Sequence, residues 1–178
     1  MKRFNREKIA IILILLFVIA AVLFMFGGNF FSHSETKKEP ERDYTVMPDA
    51  NSVTDEITNG VKVEQNFVSS VDSISEIAIV FSRLYYVEDV ELVIELLDGN
   101  EIIAENTYKV EEIEDQHRTF LTPASPISGI INKELKLRIY SADKSDTGLA
   151  IMMNDSTGKV FSFDKKNVKG TLCFSISE

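Results

Sequence analysis

The chain has no tryptophan, one cysteine and two histidines in 178 residues. A single cysteine, Cys173, excludes an internal disulfide, so an apolar core must hold the fold together. His33 falls in a polar stretch, which leaves His117 as the one imidazole of the foldable part and argues against a soft transition-metal site. Any flat aromatic platform must come from Tyr or Phe, because there is no indole. No G-x-S-x-G, no H-E-x-x-H and no glycine-rich phosphate loop occurs, so the common hydrolase and nucleotide signatures are missing. Basic residues are also scarce beyond the N-terminus. Setting aside Lys2, Arg3, Arg6, Lys8 and Glu7 leaves 15 bases against 27 acids, a formal charge near minus 12. Nucleic acid needs a basic footprint to displace counterions from phosphate, and no continuous stripe of that kind is present. The same sign argues against anionic headgroups or phosphate-rich wall polymers as main partners.

One long apolar run is present. Ile9 to Phe26 are eighteen consecutive apolar residues without a single polar or charged side chain. As a helix at about 1.5 Å per residue they cover about 27 Å, close to the hydrocarbon thickness of about 30 Å. Gly27 to Phe31 carry the end into the interface, which gives a transmembrane anchor over 9–31 that contacts the lipid bilayer. Four bases in the preceding stub, 1–8, keep the N-terminus cytoplasmic and send the rest out of the cytosol. A cleaved signal peptide shares this layout, but its apolar core is usually about 7 to 15 residues, and the best small-x-small site, Ser32-His33-Ser34, lies past the run. The helix has no small-xxx-small face to drive dimerisation. Residues 32–55, rich in Ser, Glu, Lys, Pro and Asp, read as a flexible linker.

From residue 56 to 178 the dominant period is two. Val61, Val63 and Phe67 alternate with polar residues, as do Leu135, Leu137 and Ile139, and Leu172, Phe174 and Ile176; Ile77, Ile79 and Phe81 share one face. Val90, Leu92, Ile94 and Leu96 face away from Glu91 and Glu95. Asp98-Gly99-Asn100 is a hairpin turn leading into Glu101 to Lys109. About nine short strands follow from this pattern, with one helical turn within Val110 to Gln116 and no internal repeat. Gly, Pro, Asn and Asp clusters separate the runs. The expected fold is all-β, an antiparallel two-sheet sandwich in an extracytoplasmic domain over 56–178.

Gly60, Val63, Gln65 and Phe67, then Ile74, Ile77, Ile79 and Phe81, and the closing Gly170-Thr171-Leu172-Cys173-Phe174-Ser175-Ile176 together resemble jelly-roll, carbohydrate-binding-module-like β-sandwiches. Such domains are attached to bacterial cell-envelope membrane proteins, including polysaccharide-assembly proteins. The resemblance implies a jelly-roll-like, noncatalytic outer module in contact with an envelope glycan or a glycan-handling partner membrane protein.

Sugar faces stack on aromatic rings while their rims need hydrogen bonds. Arg83, Tyr85 and Tyr86 are the best local candidates for such a site, with one tyrosine expected to pack inward because neighbours on a strand point to opposite faces. Tyr140 lies opposite the inward Leu-Leu-Ile face of its strand and is a further ligand-binding candidate. The oxygens of Asp143 to Gly148 could hold a structural calcium, although the spacing is not that of an EF-hand, and Asn154 to Gly158 reads first as a hairpin turn. Cys173 with His117 is the one conceivable thiol and imidazole pair, and mid-strand placement makes Cys173 a small core residue instead. Glu111, Glu112, Glu114 and Asp115 read as a solvated acidic turn rather than a glycosidase pair. The expectation is a membrane-anchored binding or assembly module with no catalytic residues, no metal and no cofactor. The alternative is a small ectoenzyme, a hydrolase of envelope polymers.

Overall fold

Strand propensity and turn chemistry combine in the computed structural model into fourteen strands, one 3₁₀ turn and no α-helix among the described residues, which are Thr45, 47–143 and 145–178. In chain order the strands are β1 (Ser52–Val53), β2 (Lys62–Val68), β3 (Ser73–Ile74), β4 (Glu76–Arg83) and β5 (Glu91–Asp98). Then come β6 (Glu101–Lys109), β7 (Arg118–Leu121), β8 (Ile127–Ser128), β9 (Glu134–Ser141) and β10 (Leu149–Asn154). The last four are β11 (Val160–Phe163), β12 (Lys166–Lys169), β13 (Thr171–Leu172) and β14 (Phe174–Ser177). The helical turn expected within 110–116 is the 3₁₀ turn Val110–Glu112. All nine expected runs are strands. The last run, from Thr171, is split at Cys173 into β13 and β14; the extra strands are β1, β3 and β8, each two residues long, and β12, whose Lys-Asn-Val-Lys carries one apolar side chain, and none of these four is long or apolar enough to show an alternation.

Every pairing is antiparallel, and two six-stranded sheets face each other. One runs β12-β11-β2-β9-β5-β6. In the other, β4 pairs with β7 along one side; along the opposite side it meets β10 through Phe81 to Arg83 and β14 through Glu76 to Ile79. Residues 171–177 therefore wedge between β4 and β10 where these diverge. Cys173 marks the switch: its N–H donates to the Met152 carbonyl at 2.8 Å and its carbonyl accepts from Val80 at 3.2 Å. The short pair β3–β8 lies beside the sheets.

The inward faces meet as the alternation requires. Ile77, Ile79, Phe81, Ile151 and Leu172 from one sheet, and Val63, Leu92, Ile94, Leu137 and Ile139 from the other, are fully buried in a single core. Each such Ile, Leu or Phe contributes about 1.5–3 kcal/mol by leaving water. Gln65 is a polar residue on an inward face. It is 2 % exposed and crosses the core: its Oε1 accepts from the Leu172 N–H at 2.7 Å and its Nε2 donates to Thr171 Oγ1 at 2.7 Å. At the far edge the Tyr108 hydroxyl of β6 donates to the Phe120 carbonyl of β7, a second tie between the sheets.

Two boundaries differ from the expectation. The body includes residues assigned above to the linker: Thr45 donates to Ile176, Asn51 to Met153 and Thr54 to Ile151, at 2.7, 3.1 and 2.9 Å. This strap satisfies the open edges of β14 and β10, so hydrogen bonding rather than apolar pattern holds it, and composition alone misplaces the start. The turn Asn154 to Gly158 joins β10 to β11, which lie in different sheets, so it is a crossing and not a hairpin. The hairpin is β11–β12, turned through Asp164 and Lys165 at φ 49° and 63°. Among the described residues no helix is long and apolar enough to cross a membrane. The stub 1–8, the span 9–31 and the linker up to residue 44 lie outside the described residues.

Candidate functional site

Arg83 is the last residue of β4, and its side chain turns into the protein. Its Nη2 donates to the carbonyls of Val110, at 2.8 Å, and Ile113, while its backbone N–H donates to Asp115 Oδ1 at 2.7 Å. The guanidinium thus brackets the 3₁₀ turn rather than a ligand. The expected inward and outward split of the tyrosines does not occur, because β4 ends at Arg83 and both rings sit on the bend that follows. Tyr85 is 46 % exposed and Tyr86 62 %. The Tyr85 hydroxyl donates to Glu56, whose same oxygen accepts from the Gly148 N–H at 2.9 Å. That hydrogen bond pushes the phenol up to about 12. Gly148 is required here. Its φ is +62°, and a Cβ would lie 2.4 Å from the Tyr85 carbonyl oxygen. Tyr86 lies with its ring 5.7 Å from the Arg83 guanidinium.

Tyr140 belongs to the other sheet and shares no partner with these three. It lies on the outward face of the β12-β11-β2-β9-β5-β6 sheet, opposite Lys62 on β2 and Val93 on β5. One register step away, Glu64, Arg138 and Glu95 line up across β2, β9 and β5. Arg138 Nε donates to Glu64 Oε1 at 2.7 Å and Nη1 to Glu95 Oε2 at 3.0 Å; the Tyr140 hydroxyl donates to Glu95 Oε1 at 2.8 Å. Lys62 Nζ sits 5.0 Å from the Tyr140 ring centre. Glu95 faces away from the core, as expected, but is 3 % exposed because it lies on an interior strand under Arg138 and Tyr140. A carboxylate so shielded must be paired, and two charge-assisted hydrogen bonds satisfy it. Burial, then the hydrogen bond to Glu95, pushes Tyr140 up to about 12. Burial alone would lower Arg138, yet the hydrogen bonds and charges of Glu64 and Glu95 outweigh it and raise it.

Beside this row lie two depressions of about 260 Å³ each. The first is lined by Glu64, Asn66, Ser162 and Asn167, the second by Asn100 and Glu134 at the β5–β6 turn; Asn66 and Lys136 line both. Asn66 Nδ2 donates to Glu134 Oε1 at 3.0 Å. Among the described residues the side chains of Lys136, Ser162, Asn167 and Asn100 make no hydrogen bond, so they present free donors and acceptors to this trough. Sequence reasoning found Tyr140 and missed the rest. The available signals were Glu95 as a lone charge within an apolar run, and Arg138 at the same parity as Tyr140.

The other candidates disperse. Asp143 Oδ2 accepts from the Glu91 N–H, Asp146 Oδ1 from the Asn59 N–H, and the Thr147 hydroxyl donates to the Ile57 carbonyl, so the oxygens of that loop diverge. Among the described residues no three His, Cys, Asp or Glu side chains converge on a metal position. Cys173 is 2 % exposed, and burial pushes its thiol up to about 11; His117 is exposed and faces Glu114 at 3.3 Å. In the acidic run Glu111 accepts from the Asp89 N–H and Asp115 from Arg83, which makes both of them caps. No protein-family model matches the chain, and no curated protein matches it.

Proposed function

We propose that this chain is a membrane-anchored, extracytoplasmic, noncatalytic binding or assembly module. It contacts an envelope glycan or a partner membrane protein through the outward face of the β12-β11-β2-β9-β5-β6 sheet. The observation that carries this reading is the Glu64–Arg138–Glu95–Tyr140 array beside a trough of uncommitted amide, hydroxyl and ammonium groups. The paired side chains of the array are already fixed, so a polar ligand has only the uncommitted groups of the trough to order on binding. Glu64 and Glu95 are both held by Arg138, which supports a binding role over a hydrolase, where one carboxyl must keep its proton and the other must face a water. The two-sheet body is read as jelly-roll-like on the strength of the resemblance, and the uninterrupted Ile9 to Phe26 run supports the anchor and the outward placement of the body.

The test is photo-crosslinking in intact cells, with the crosslinker placed at Asn167 in the trough and, as a control, at Asp72 far from it in sequence. A glycan or membrane protein captured from Asn167 and not from Asp72 supports the reading. Equal capture from both positions, or protection of the body from protease added outside the cell, refutes it.

A further inference from the structure

The chain is strongly acidic, yet its charge is unevenly placed once folded. Lys159, Lys165, Lys166 and Lys169 all fall on the β11–β12 hairpin, against the single Asp164, a local charge of about +3 in an otherwise acidic body. All four lysines are exposed, and among the described residues none takes part in an ion pair. Two lysines elsewhere are committed, Lys109 to Glu111 and Lys133 to Asp98, and Lys62 lies over the Tyr140 ring. Asn167 and Ser162 of the same hairpin open directly into the trough, where Lys136 adds a fifth free ammonium group. Carboxylates border this edge as well: Glu64 shares Arg138 with Glu95, Glu134 accepts from Asn66, and Asp155 accepts hydrogen bonds from Asn51 and Ser156, so each is held in place while the lysines are not.

We propose that the β11–β12 hairpin and the adjoining trough dock an anionic polysaccharide. This rests on the binding-module reading above and names its ligand chemistry. At physiological salt the screening length is about 8 Å, so an approaching polymer meets the hairpin's field and not the average of the molecule. The lysines stand in two pairs, one at the turn (Lys165, Lys166) and one at the base (Lys159, Lys169). Lys166 and Lys169 are three residues apart along β12, about 10 Å, and lie toward opposite faces of this edge, Lys169 on the side of Asn167. A single anion cannot reach both, whereas a chain bearing regularly spaced carboxylate or phosphate groups can. Sugar hydroxyls between those groups are matched by Ser162, Asn167 and Asn66, which both donate and accept. Net charge counted along the sequence argues against such a partner; the fold reverses the argument by segregating the free cations.

The experiment uses the full chain in zwitterionic nanodiscs, titrated with polygalacturonate, with neutral dextran of equal length, and with vesicles rich in phosphatidylglycerol. Polygalacturonate is expected to bind, and to weaken steeply between about 50 and about 500 mM salt. Replacing the four lysines by glutamine (K159Q, K165Q, K166Q, K169Q) is expected to weaken binding about tenfold or more and to flatten the salt dependence. The pair K165Q, K166Q, confined to the turn, gives a smaller loss, and K109Q, at the end of edge strand β6, gives none. Far-UV circular dichroism checks that each variant keeps its strands. Dextran binding as tightly as polygalacturonate, with the lysine variants unaffected, overturns the anionic ligand while leaving the binding face intact. Preference for the vesicles over polygalacturonate overturns the polysaccharide assignment. No binding to any of the three, together with no capture from Asn167 in cells, overturns both readings.

Discussion

Replacing Gln65 is the sharpest test of how the two sheets are held together. The amide is 2 % exposed and has one partner for each end, the Leu172 N–H and the Thr171 hydroxyl, both at 2.7 Å. Gln65→Leu keeps most of the volume and removes both hydrogen bonds, so the cost is that of leaving a buried N–H without an acceptor, about 2–3 kcal/mol. Gln65→Ala adds a cavity and raises the total to about 3–5 kcal/mol. For a body of this size about 1 kcal/mol corresponds to about 4 °C in Tm, so the leucine variant should melt about 8–12 °C below the wild type. Gln65→Glu is the informative control. It retains an acceptor for Leu172, and the Thr171 hydroxyl can rotate to donate, so only the charge is new. Burial raises such a carboxyl's pKa in the folded state, and stability is then lost as pH rises through that value. The glutamate variant should therefore be less destabilised at about pH 5 than at about pH 8. Thermal melts of the full chain in detergent, followed by far-UV circular dichroism, give all four curves. A leucine variant that melts within about 2 °C of the wild type would show that the crossing amide contributes nothing, and the reasoning would fail.

Three further outcomes follow from the geometry. Gly148→Ala should destabilise by more than about 2 kcal/mol, because the left-handed backbone costs about 1–2 kcal/mol and the added Cβ collides with the Tyr85 carbonyl; urea titration reads it, and an unchanged midpoint contradicts the placement of that loop. Tyr140 has its folded pKa raised to about 12 from an ordinary 10.0, so its contribution is present below pH 10 and lost as pH rises towards 12. Tyr140→Phe should lose less stability across that window than the wild type, and phenolate absorbance should show one fewer late-ionising group. Cys173, buried and with its thiol pushed up to about 11, should resist a disulfide reagent at about pH 8 until denaturant is added, and then react once per chain. Prompt reaction of the native chain would contradict its burial.

Much of the sandwich was legible because two-residue alternation is a direct readout of one buried face. Ile77, Ile79 and Phe81 point inward together, as do Leu135, Leu137 and Ile139, and Asp98-Gly99-Asn100 turns the chain where expected. The site was legible at one residue, Tyr140, since parity alone assigns it to the outer face. What failed was everything decided by a strand's neighbours. Glu95 has the parity of a solvated residue, but it sits on an interior strand and is covered by side chains from β9. Arg83 has the look of a display residue, but β4 ends there, and the carbonyls of Val110 and Ile113 claim its guanidinium. The strap residues Thr45, Asn51 and Thr54 have a linker's composition and are held by their backbone groups and polar side chains, contacts that leave no apolar period to read. The lysine hairpin is compact in sequence, but only folding sets its Ser162 and Asn167 beside Lys136 and Asn66.

The wedge of residues 171–177 between β4 and β10 also governs when the body can close. β4 keeps one flank open, and Thr45 has nothing to dock against, until Phe174 to Ser177 have been synthesised. Pairings this distant along the chain are slow to form and leave earlier strands exposed in the meantime. If Ile9 to Phe26 are the anchor proposed above, that span would reach the bilayer while the remainder is still extended, the state in which a polypeptide can be threaded through a translocation channel. Late closure would then let one chain deliver its anchor first and acquire its rigid form afterwards.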